Sequence, residues 1–207
     1  MIRRLALLSV PLLLLVSGCT AGTGQPASPS RPEAATGRPS PFADCAALTT
    51  APDGSAAAGP SAGAGGDTLL PELSLTCFTG GAPVALREVR GPAVINVWAS
   101  WCPPCRKELP AFQRLHQRAD GQLRVFGVNA QDSRAAAQAI GEDFGIRFPV
   151  LVDQGQAVQR ALRRNAIPLT VFLDGDGRIR HVDTSGALDD ARLAELVEQH
   201  LGIAVPA

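Results

Sequence analysis

Two cysteines separated by two residues lie where a predicted buried strand gives way to a predicted helix. The strand, residues 93–99, is short, rich in β-branched and aromatic side chains, and follows a Gly-Pro breaker pair. Pro103 and Pro104 separate Cys102 from Cys105 at the expected start of the helix, where a missing N–H is tolerated. The sequence therefore predicts that both cysteines lie on a strand-to-helix turn.

This position favours redox chemistry at the first cysteine. Unpaired N–H groups and the positive end of the helix dipole stabilise a thiolate at Cys102, so its pKa should fall from ~8.5 toward ~7. Cys105, one turn further along, is better shielded and suits the role of resolving a mixed disulfide formed by Cys102. The alternatives are a passive structural disulfide and half of a zinc site, but the three histidines are scattered. We expect redox catalysis by the cysteine pair itself, with no metal and no other cofactor.

The residues around the pair resemble a known family of redox proteins. From Asn96 to Pro110 they follow the pattern N-V-W-A-S-W-C-x-P-C-R-x-E-x-P, which is similar to the membrane-anchored TlpA/ResA type of the thioredoxin superfamily. The resemblance extends, more loosely, over residues 70–201. It implies an α/β thioredoxin-like fold with a mixed central sheet, helices on both faces and an N-terminal β-hairpin extension.

The order of predicted elements agrees with this fold. Alternating strands and helices followed by an antiparallel hairpin describe a mixed sheet covered by helices on both faces. Besides the central strand and the helix after it, the predicted strands are 72–78, 84–86, 123–129, 150–152, 169–173 and 178–183, and the predicted helices are 133–144, 156–163 and 188–201.

The first 41 residues are predicted to export and tether the protein. Residues 1–18 combine a basic start with an apolar run too short to span a bilayer, which is typical of a secretory signal. The residues before Cys19 resemble a bacterial lipoprotein box, so Cys19 is the expected site of lipidation. An ordinary signal peptide with a chance cysteine is the alternative. Residues 19–41, rich in small residues and proline, are predicted to form a disordered tether at the extracytoplasmic face of the cell membrane.

Two further cysteines bear on the organisation of the rest of the chain. We divide it into a small island with a low-complexity loop, residues 42–66, and a thioredoxin-like domain, residues 67–207. Once Cys19 and the active pair are assigned, Cys45 and Cys77 remain. An even remainder in an exported protein predicts a structural disulfide that attaches the island to the domain. A second redox pair that passes electrons to the first is the alternative.

The resemblance also implies roles for residues near the active pair. Pro168 corresponds to the cis-proline of the superfamily, and the backbone of Ile167 before it would pair with an extended substrate; an ordinary trans proline is the alternative. Trp101 corresponds to an indole that contacts the partner, with plain packing as the alternative. Glu108 would exchange protons with the cysteines if burial raises its pKa, whereas a solvated carboxylate is the alternative. Asn96 stands where many thioredoxins carry a buried aspartate.

These features predict a thiol–disulfide oxidoreductase that reduces disulfides in exported proteins. Members of the resembling family mostly act as reductants, for example on apocytochrome c before haem attachment. The implied partners are disulfide-containing exported proteins and a membrane electron donor of the CcdA/DsbD type. Two other functions stay open: donation of disulfides during folding of exported proteins, and copper delivery through the thiols.

The distribution of charge gives weaker information. The chain carries 19 basic and 19 acidic residues, so nothing indicates binding to nucleic acid. A basic cluster at the end of a predicted helix consists of Arg160, Arg163 and Arg164. A solvated face is the simplest interpretation of this cluster, and a docking role is the alternative. We expect the protein to be a monomer.

Overall fold

The computed structural model describes residues 38–50, 68–119 and 121–206. Within these ranges the order of strands and helices is the predicted one. The strands are β1 Ser74–Cys77, β2 Val84–Ala85, β3 Ala93–Trp98, β4 Arg124–Ala130, β5 Val150–Asp153, β6 Leu169–Leu173 and β7 Ile179–Asp183. The helices are α1 Pro103–Arg118, α2 Arg134–Asp143, α3 Ala157–Ala161 and α4 Asp190–Leu201.

The seven strands form one mixed sheet in the order β2-β1-β5-β4-β3-β6-β7. Strands β3, β4 and β5 are parallel, β6 is antiparallel to β3, β7 is antiparallel to β6, and β1 is antiparallel to β5. The predicted N-terminal hairpin is confirmed, because β1 and β2 pair antiparallel. Strand β3 is central and buried along its whole length, so the turn that follows it starts from a fixed position.

Helices cover both faces of the sheet, as the sequence predicts. On one face the apolar sides of α1, α2 and α4 pack against a core that contains Val94, Trp98 and Phe172. On the other face Val158 of α3 and Leu48 of the N-terminal island pack against a second core. Alternate residues of the central strands contribute to the two cores, because side chains of a strand point to opposite faces in turn.

Helix α1 begins at the cysteine pair, for reasons visible in its sequence. Cys102 is its N-cap residue, and the two prolines occupy the first helical positions, where their fixed φ angle suits the helix. The helix continues through Pro110 to Arg118. Its buried residues recur every three or four positions and include Cys105, Glu108, Leu109 and Phe112. The apolar face of α1 therefore carries one ionisable side chain into the core.

Helix α3 is shorter than predicted. The sequence predicts a helix over residues 156–163, whereas the structure has Ala157–Ala161. Gln156 and Arg163 have φ angles of +54° and +55°, which lie outside the right-handed helical region. The periodic pattern did not show that both ends of the segment adopt left-handed backbone.

The N-terminal island packs onto the domain. Phe42 contacts Phe78 edge-on, with ring centroids 4.7 Å apart, and also contacts Trp98 at 6.3 Å. A side chain at Gly141 would bring its Cβ within 2.5 Å of the Phe42 ring, so glycine at this position of α2 admits the island. Contacts begin before the predicted end of the tether, because Arg38 forms an ion pair with Glu142 at 3.4 Å.

Several sequence predictions fall on residues outside the described part of the chain. These are the signal peptide, Cys19 with its lipid, most of the tether and the low-complexity loop over residues 51–66. In the described ranges, none of the helices has the length and apolar character needed to cross a membrane.

Candidate active site

The cysteine pair forms a disulfide at the N-terminus of α1. The Cα atoms of Cys102 and Cys105 are 5.3 Å apart. The Sγ atom of Cys102 also accepts a hydrogen bond from the backbone N–H of Cys105 at 3.2 Å. Cys105 has no exposed surface and Cys102 is 3% exposed, so the first cysteine is the more accessible of the two, as predicted. After reduction, the same N–H and the helix dipole are positioned to stabilise a thiolate at Cys102.

The turn before the disulfide is held by the loop after β4. The Asp132 carboxylate accepts hydrogen bonds from the Ser100 backbone N–H at 2.5 Å and from its hydroxyl at 2.6 Å. A third bond comes from the side-chain amide of Asn129 at 2.9 Å. The indole N–H of Trp101 donates to the Gln131 carbonyl at 2.9 Å. These bonds fix the two residues that precede Cys102, although the Trp101 side chain is 57% exposed.

The cis-proline expected beside the site is present. The Ile167–Pro168 peptide bond is cis. Leu169 pairs with Val97 of β3, so the antiparallel register brings Pro168 to the level of the end of β3. Ile167 is half-buried and packs against the core cluster that contains both active cysteines. The structure therefore brings the expected substrate-contact residues Trp101, Ile167 and Pro168 to the same end of the sheet as the disulfide.

Glu108 is a fully buried carboxyl group one turn after Cys105. It accepts hydrogen bonds from the Asn96 side-chain amide at 2.5 Å and from the Leu188 backbone N–H at 3.1 Å. Burial raises the pKa of Glu108 from 4.5 to about 7; the two hydrogen bonds lower it, and the nearby charge of Asp183 raises it further. The solvated alternative for Glu108 is thus excluded, and the side chain can gain or lose a proton near neutral pH.

Asn96 gives this carboxyl group a partner in either protonation state. Its Nδ2 group donates to Glu108, while its buried Oδ1 has no hydrogen-bond partner. If the amide turns over, Oδ1 can accept a hydrogen bond from a protonated Glu108. An asparagine can therefore serve both the acid and the carboxylate without changing its own charge.

Sequence reasoning missed several residues that shape the site. Asp132 and Gln131 lie outside the motif, and their hydrogen bonds to Ser100 and Trp101 join positions about 30 residues apart in the chain. From the sequence, Asp183 is only the last residue of the predicted strand 178–183. A correct register for the predicted hairpin would have shown that Asp183 lies level with Asn96, because Asp183 pairs with Thr170 and Thr170 pairs with Asn96.

The remaining cysteines form the second predicted disulfide. Cys45 and Cys77 are bonded with a Cα separation of 5.8 Å, and each is 2% exposed. The bond joins the island to β1 and closes a loop between residues 32 positions apart. Its burial agrees with the structural role. In the described ranges, no group of three or more His, Cys, Asp or Glu side chains is arranged to hold a metal ion.

Comparisons with known proteins agree with this geometry. A family model described as Redoxin matches residues 64–197. The thiol-disulfide oxidoreductase ResA of Halalkalibacterium halodurans is 29% identical over 128 residues, which cover 61% of this chain and 70% of that protein. The thioredoxin-like protein YneN of Bacillus subtilis is 32% identical over 120 residues, covering 55% of this chain and 69% of YneN.

A solved structure gives the same result for the fold. The secreted thiol-disulfide isomerase of Corynebacterium glutamicum is 26% identical and superimposes with a TM-score of 0.55. The match covers 64% of this chain and 83% of that one. The range matched by the Redoxin model, residues 64–197, includes the sheet, α1 and the cysteine pair.

Proposed function

Because this chain belongs to the redoxin family and is a thiol–disulfide oxidoreductase, we propose that it works outside the cytoplasmic membrane and reduces disulfides in exported proteins. Apocytochrome c before haem attachment is an example of such a substrate. The observation that carries this proposal is the Cys102–Cys105 disulfide at the N-terminus of α1, where a backbone N–H already donates to Cys102 Sγ. The reaction needs no cofactor beyond this pair.

The reaction is two successive thiol–disulfide exchanges. The Cys102 thiolate attacks one sulfur of the substrate disulfide, and the other substrate sulfur leaves as a thiolate. The Cys105 thiolate then attacks Cys102 Sγ, which forms the intramolecular disulfide and releases the second substrate thiolate. Two electrons pass from the protein to the substrate, so the protein leaves the cycle oxidised. A membrane electron donor, such as a CcdA/DsbD-like protein, would return two electrons by the same exchange.

Glu108 is suited to handle the proton of Cys105. The Cys105 thiol must lose its proton before it can attack the mixed disulfide. Because Cys105 is buried, solvent is poorly placed to accept that proton. The carboxylate one turn away has a pKa of about 7, close to the pH at which a general base is most effective. Glu108 would accept the Cys105 proton in this step and return it when the pair is reduced again.

The N-terminal sequence supports a location at the membrane. A lipid on Cys19 and a tether of residues 19–41 would keep the domain near the outer face of the cytoplasmic membrane. The secreted character stated for the Corynebacterium relative supports export. This location gives access both to exported substrates and to a membrane electron donor.

Trapping of mixed disulfides tests the proposed function. In Cys105→Ser the first exchange proceeds and the second cannot, so disulfide-linked complexes with exported proteins should accumulate in cells and disappear on reduction. The control is the double substitution Cys102→Ser/Cys105→Ser, which should trap none. Absence of complexes with Cys105→Ser, together with stoichiometric Cu(I) binding by the reduced wild-type protein, would instead favour metal delivery.

The reduction potential decides the direction of electron flow. A value near ~−270 mV, as for thioredoxin, is expected for a reductant supplied with electrons from the membrane. A value near ~−120 mV would contradict reduction and favour donation of disulfides. Titration against glutathione, with Cys45 and Cys77 intact, measures it.

A further inference from the structure

Four exposed cations border the disulfide, although the whole chain has no formal net charge. They are Arg106 and Lys107 on α1, and Arg163 and Arg164 in the loop after α3; we call them the cationic rim. The two segments that carry them, residues 100–107 and 162–168, contain no aspartate or glutamate. Even with the Asp132 carboxylate hydrogen-bonded to Ser100, four exposed cations leave a positive field around the site.

The fold brings both halves of the rim to the mouth of the site. Arg106 and Lys107 directly follow Cys105 in the first turns of α1. Arg163 and Arg164 precede Ile167 by only a few residues, a span of at most about 10 to 14 Å of extended chain. Because the register of β6 on β3 brings the residues before Leu169 to the end of β3, this loop lies beside the active turn.

The rim charges are not neutralised within the described part of the chain. Other cations are engaged there: Arg114 and Arg118 pair with Asp190, and Arg192 pairs with Glu195. Among residues 38–50, 68–119 and 121–206, no ion pair or side-chain hydrogen bond involves a rim side chain. The four charges are therefore available to a partner from outside the molecule.

Arg163 occupies a position that favours glycine. Its φ angle is +55°, and it follows the last turn of α3 in a Schellman motif, in which the Arg163 N–H donates to Arg160 and the Arg164 N–H donates to Gln159. Glycine adopts this backbone without strain, and arginine does not. Helix termination alone therefore does not account for an arginine here, and residues held in strained backbone cluster at functional sites.

We infer that the cationic rim, together with the exposed Trp101, is a docking surface for an acidic polypeptide segment that flanks the disulfide of an exported substrate. The inference rests on the proposed function and adds the chemistry of the substrate. Trp101 offers a flat apolar contact, and the cations on both sides attract carboxylates. The rim lies on the two segments next to the reacting disulfide, so a membrane surface docked there would obstruct the substrate; this favours a polypeptide partner.

The rim acts on encounter and binding, and the exchange chemistry stays as described. The reduced protein gives two electrons to the peptide disulfide, the peptide leaves as a dithiol, and Cys102 and Cys105 become the disulfide. Complementary charge raises association rates by about tenfold or more, and the gain falls as salt is added. The expected signature is a salt-dependent preference for acidic over neutral substrates.

Matched peptides test this inference. Three synthetic peptides with one internal disulfide differ only in flanking residues, which are Asp/Glu, Asn/Gln or Lys, and the rate constant for reduction of each by the purified reduced full chain is measured. At low salt the acidic peptide should react about tenfold faster than the neutral one, and the lysine peptide more slowly than either. When the salt concentration is raised from ~0.1 M to about 0.5 M, the differences between the three rate constants should largely disappear.

Two double variants with the same change of charge locate the effect. Arg163→Gln/Arg164→Gln removes half of the rim without touching α1, and should reduce the acidic-to-neutral rate ratio several-fold. Arg87→Gln/Arg90→Gln removes two exposed arginines just before β3, at the opposite end of that strand from the disulfide, and should leave the ratio unchanged. Equal loss of the ratio in both variants would show a general charge effect and overturn the inference.

The outcomes separate this inference from the proposed function. Reduction of all peptides at equal rates, at low salt, overturns the docking surface and leaves the oxidoreductase intact. Failure to reduce any peptide rejects the proposed reductase function itself. In the contrary case, Arg163→Gln/Arg164→Gln leaves the acidic-to-neutral rate ratio unchanged and loses binding to vesicles that contain anionic lipid. That result would overturn the inference and assign the rim to a membrane surface.

Discussion

Glu108 has no exposed surface, yet it sits beside the residues that exchange electrons. Its two hydrogen bonds come from Asn96 and from the backbone before α4, so the carboxylate is held by elements on both sides. Burial outweighs these bonds and raises its pKa to about 7. A group with this pKa alternates between acid and carboxylate near neutral pH, so its protonation contributes to the pH dependence of stability.

The pH dependence of stability tests the burial of Glu108. Its pKa is raised on folding, so between about pH 4.5 and 7 the folded state binds more protons than the unfolded state. The free energy of unfolding should therefore fall as pH rises through this window, by on the order of 3 kcal/mol from this group. In Glu108→Gln this fall should be absent, since glutamine does not titrate.

Urea unfolding at pH 5 and pH 8 measures how the free energy of unfolding changes with pH in the oxidised wild type and in Glu108→Gln. Glutamine fits the site, because its oxygen can accept from Leu188 and, once the Asn96 amide turns over, its NH₂ group can donate to Asn96 Oδ1. Subtracting the two profiles removes the contributions of other titrating groups. Parallel profiles for the two proteins would contradict a raised pKa at Glu108.

At the scale of single elements, α3 shows how a short helix can be fixed at both ends. Asp153 at the end of β5 accepts hydrogen bonds from the N–H groups of Gly155, Ala157 and Val158, which satisfies the start of the helix. At the other end Arg163 adopts left-handed backbone. The helix is thus held between the sheet and the loop that leads to Pro168.

Substitution of Arg163 by glycine should stabilise the protein while weakening its use of acidic substrates. Glycine avoids the steric cost of left-handed backbone, so Arg163→Gly should raise the free energy of unfolding by about 1 kcal/mol. The control Arg164→Gly, where φ is not positive, should lower it by roughly 0.5–1 kcal/mol through added freedom of the unfolded chain. Urea midpoints measure both; destabilisation by Arg163→Gly would argue that the position carries no strain.

For the whole molecule, the Cys45–Cys77 disulfide attaches the island to the sheet. Phe42 places an aromatic ring in the same core as Trp98 and the active cysteines, and Leu48 packs in the core on the opposite face. The island thus completes both cores next to β1. Export to an oxidising compartment would allow this bond to persist.

Removal of this disulfide should lower stability without abolishing exchange. For Cys45→Ala/Cys77→Ala, the loop of 32 residues predicts a loss of ~3–4 kcal/mol in the free energy of unfolding. Cys102→Ser/Cys105→Ser, which opens a loop of only three residues, should cost less, ~1–2 kcal/mol. Unchanged stability of the first variant, combined with loss of turnover, would contradict the structural role and favour electron relay through Cys45 and Cys77.

The sequence by itself determined the position of the redox pair and the order of the elements. The spacing of Cys102 and Cys105, the prolines between them and the buried strand before them are local features, so their consequences are local too. Strand and helix periods gave the mixed sheet, and counting cysteines gave the second disulfide. These predictions succeeded because each depends on neighbours in the chain or on covalent pairing.

Only the tertiary structure decided what surrounds the pair. The Leu188 N–H that binds Glu108 lies 80 residues away in the chain, and the Asp132 carboxylate that holds Ser100 lies 32 residues away. The left-handed backbone of Arg163 was likewise not visible in the residue pattern. Such contacts arise when sheet register and helix packing bring distant segments together, and the pKa of a buried carboxyl group depends on that packing.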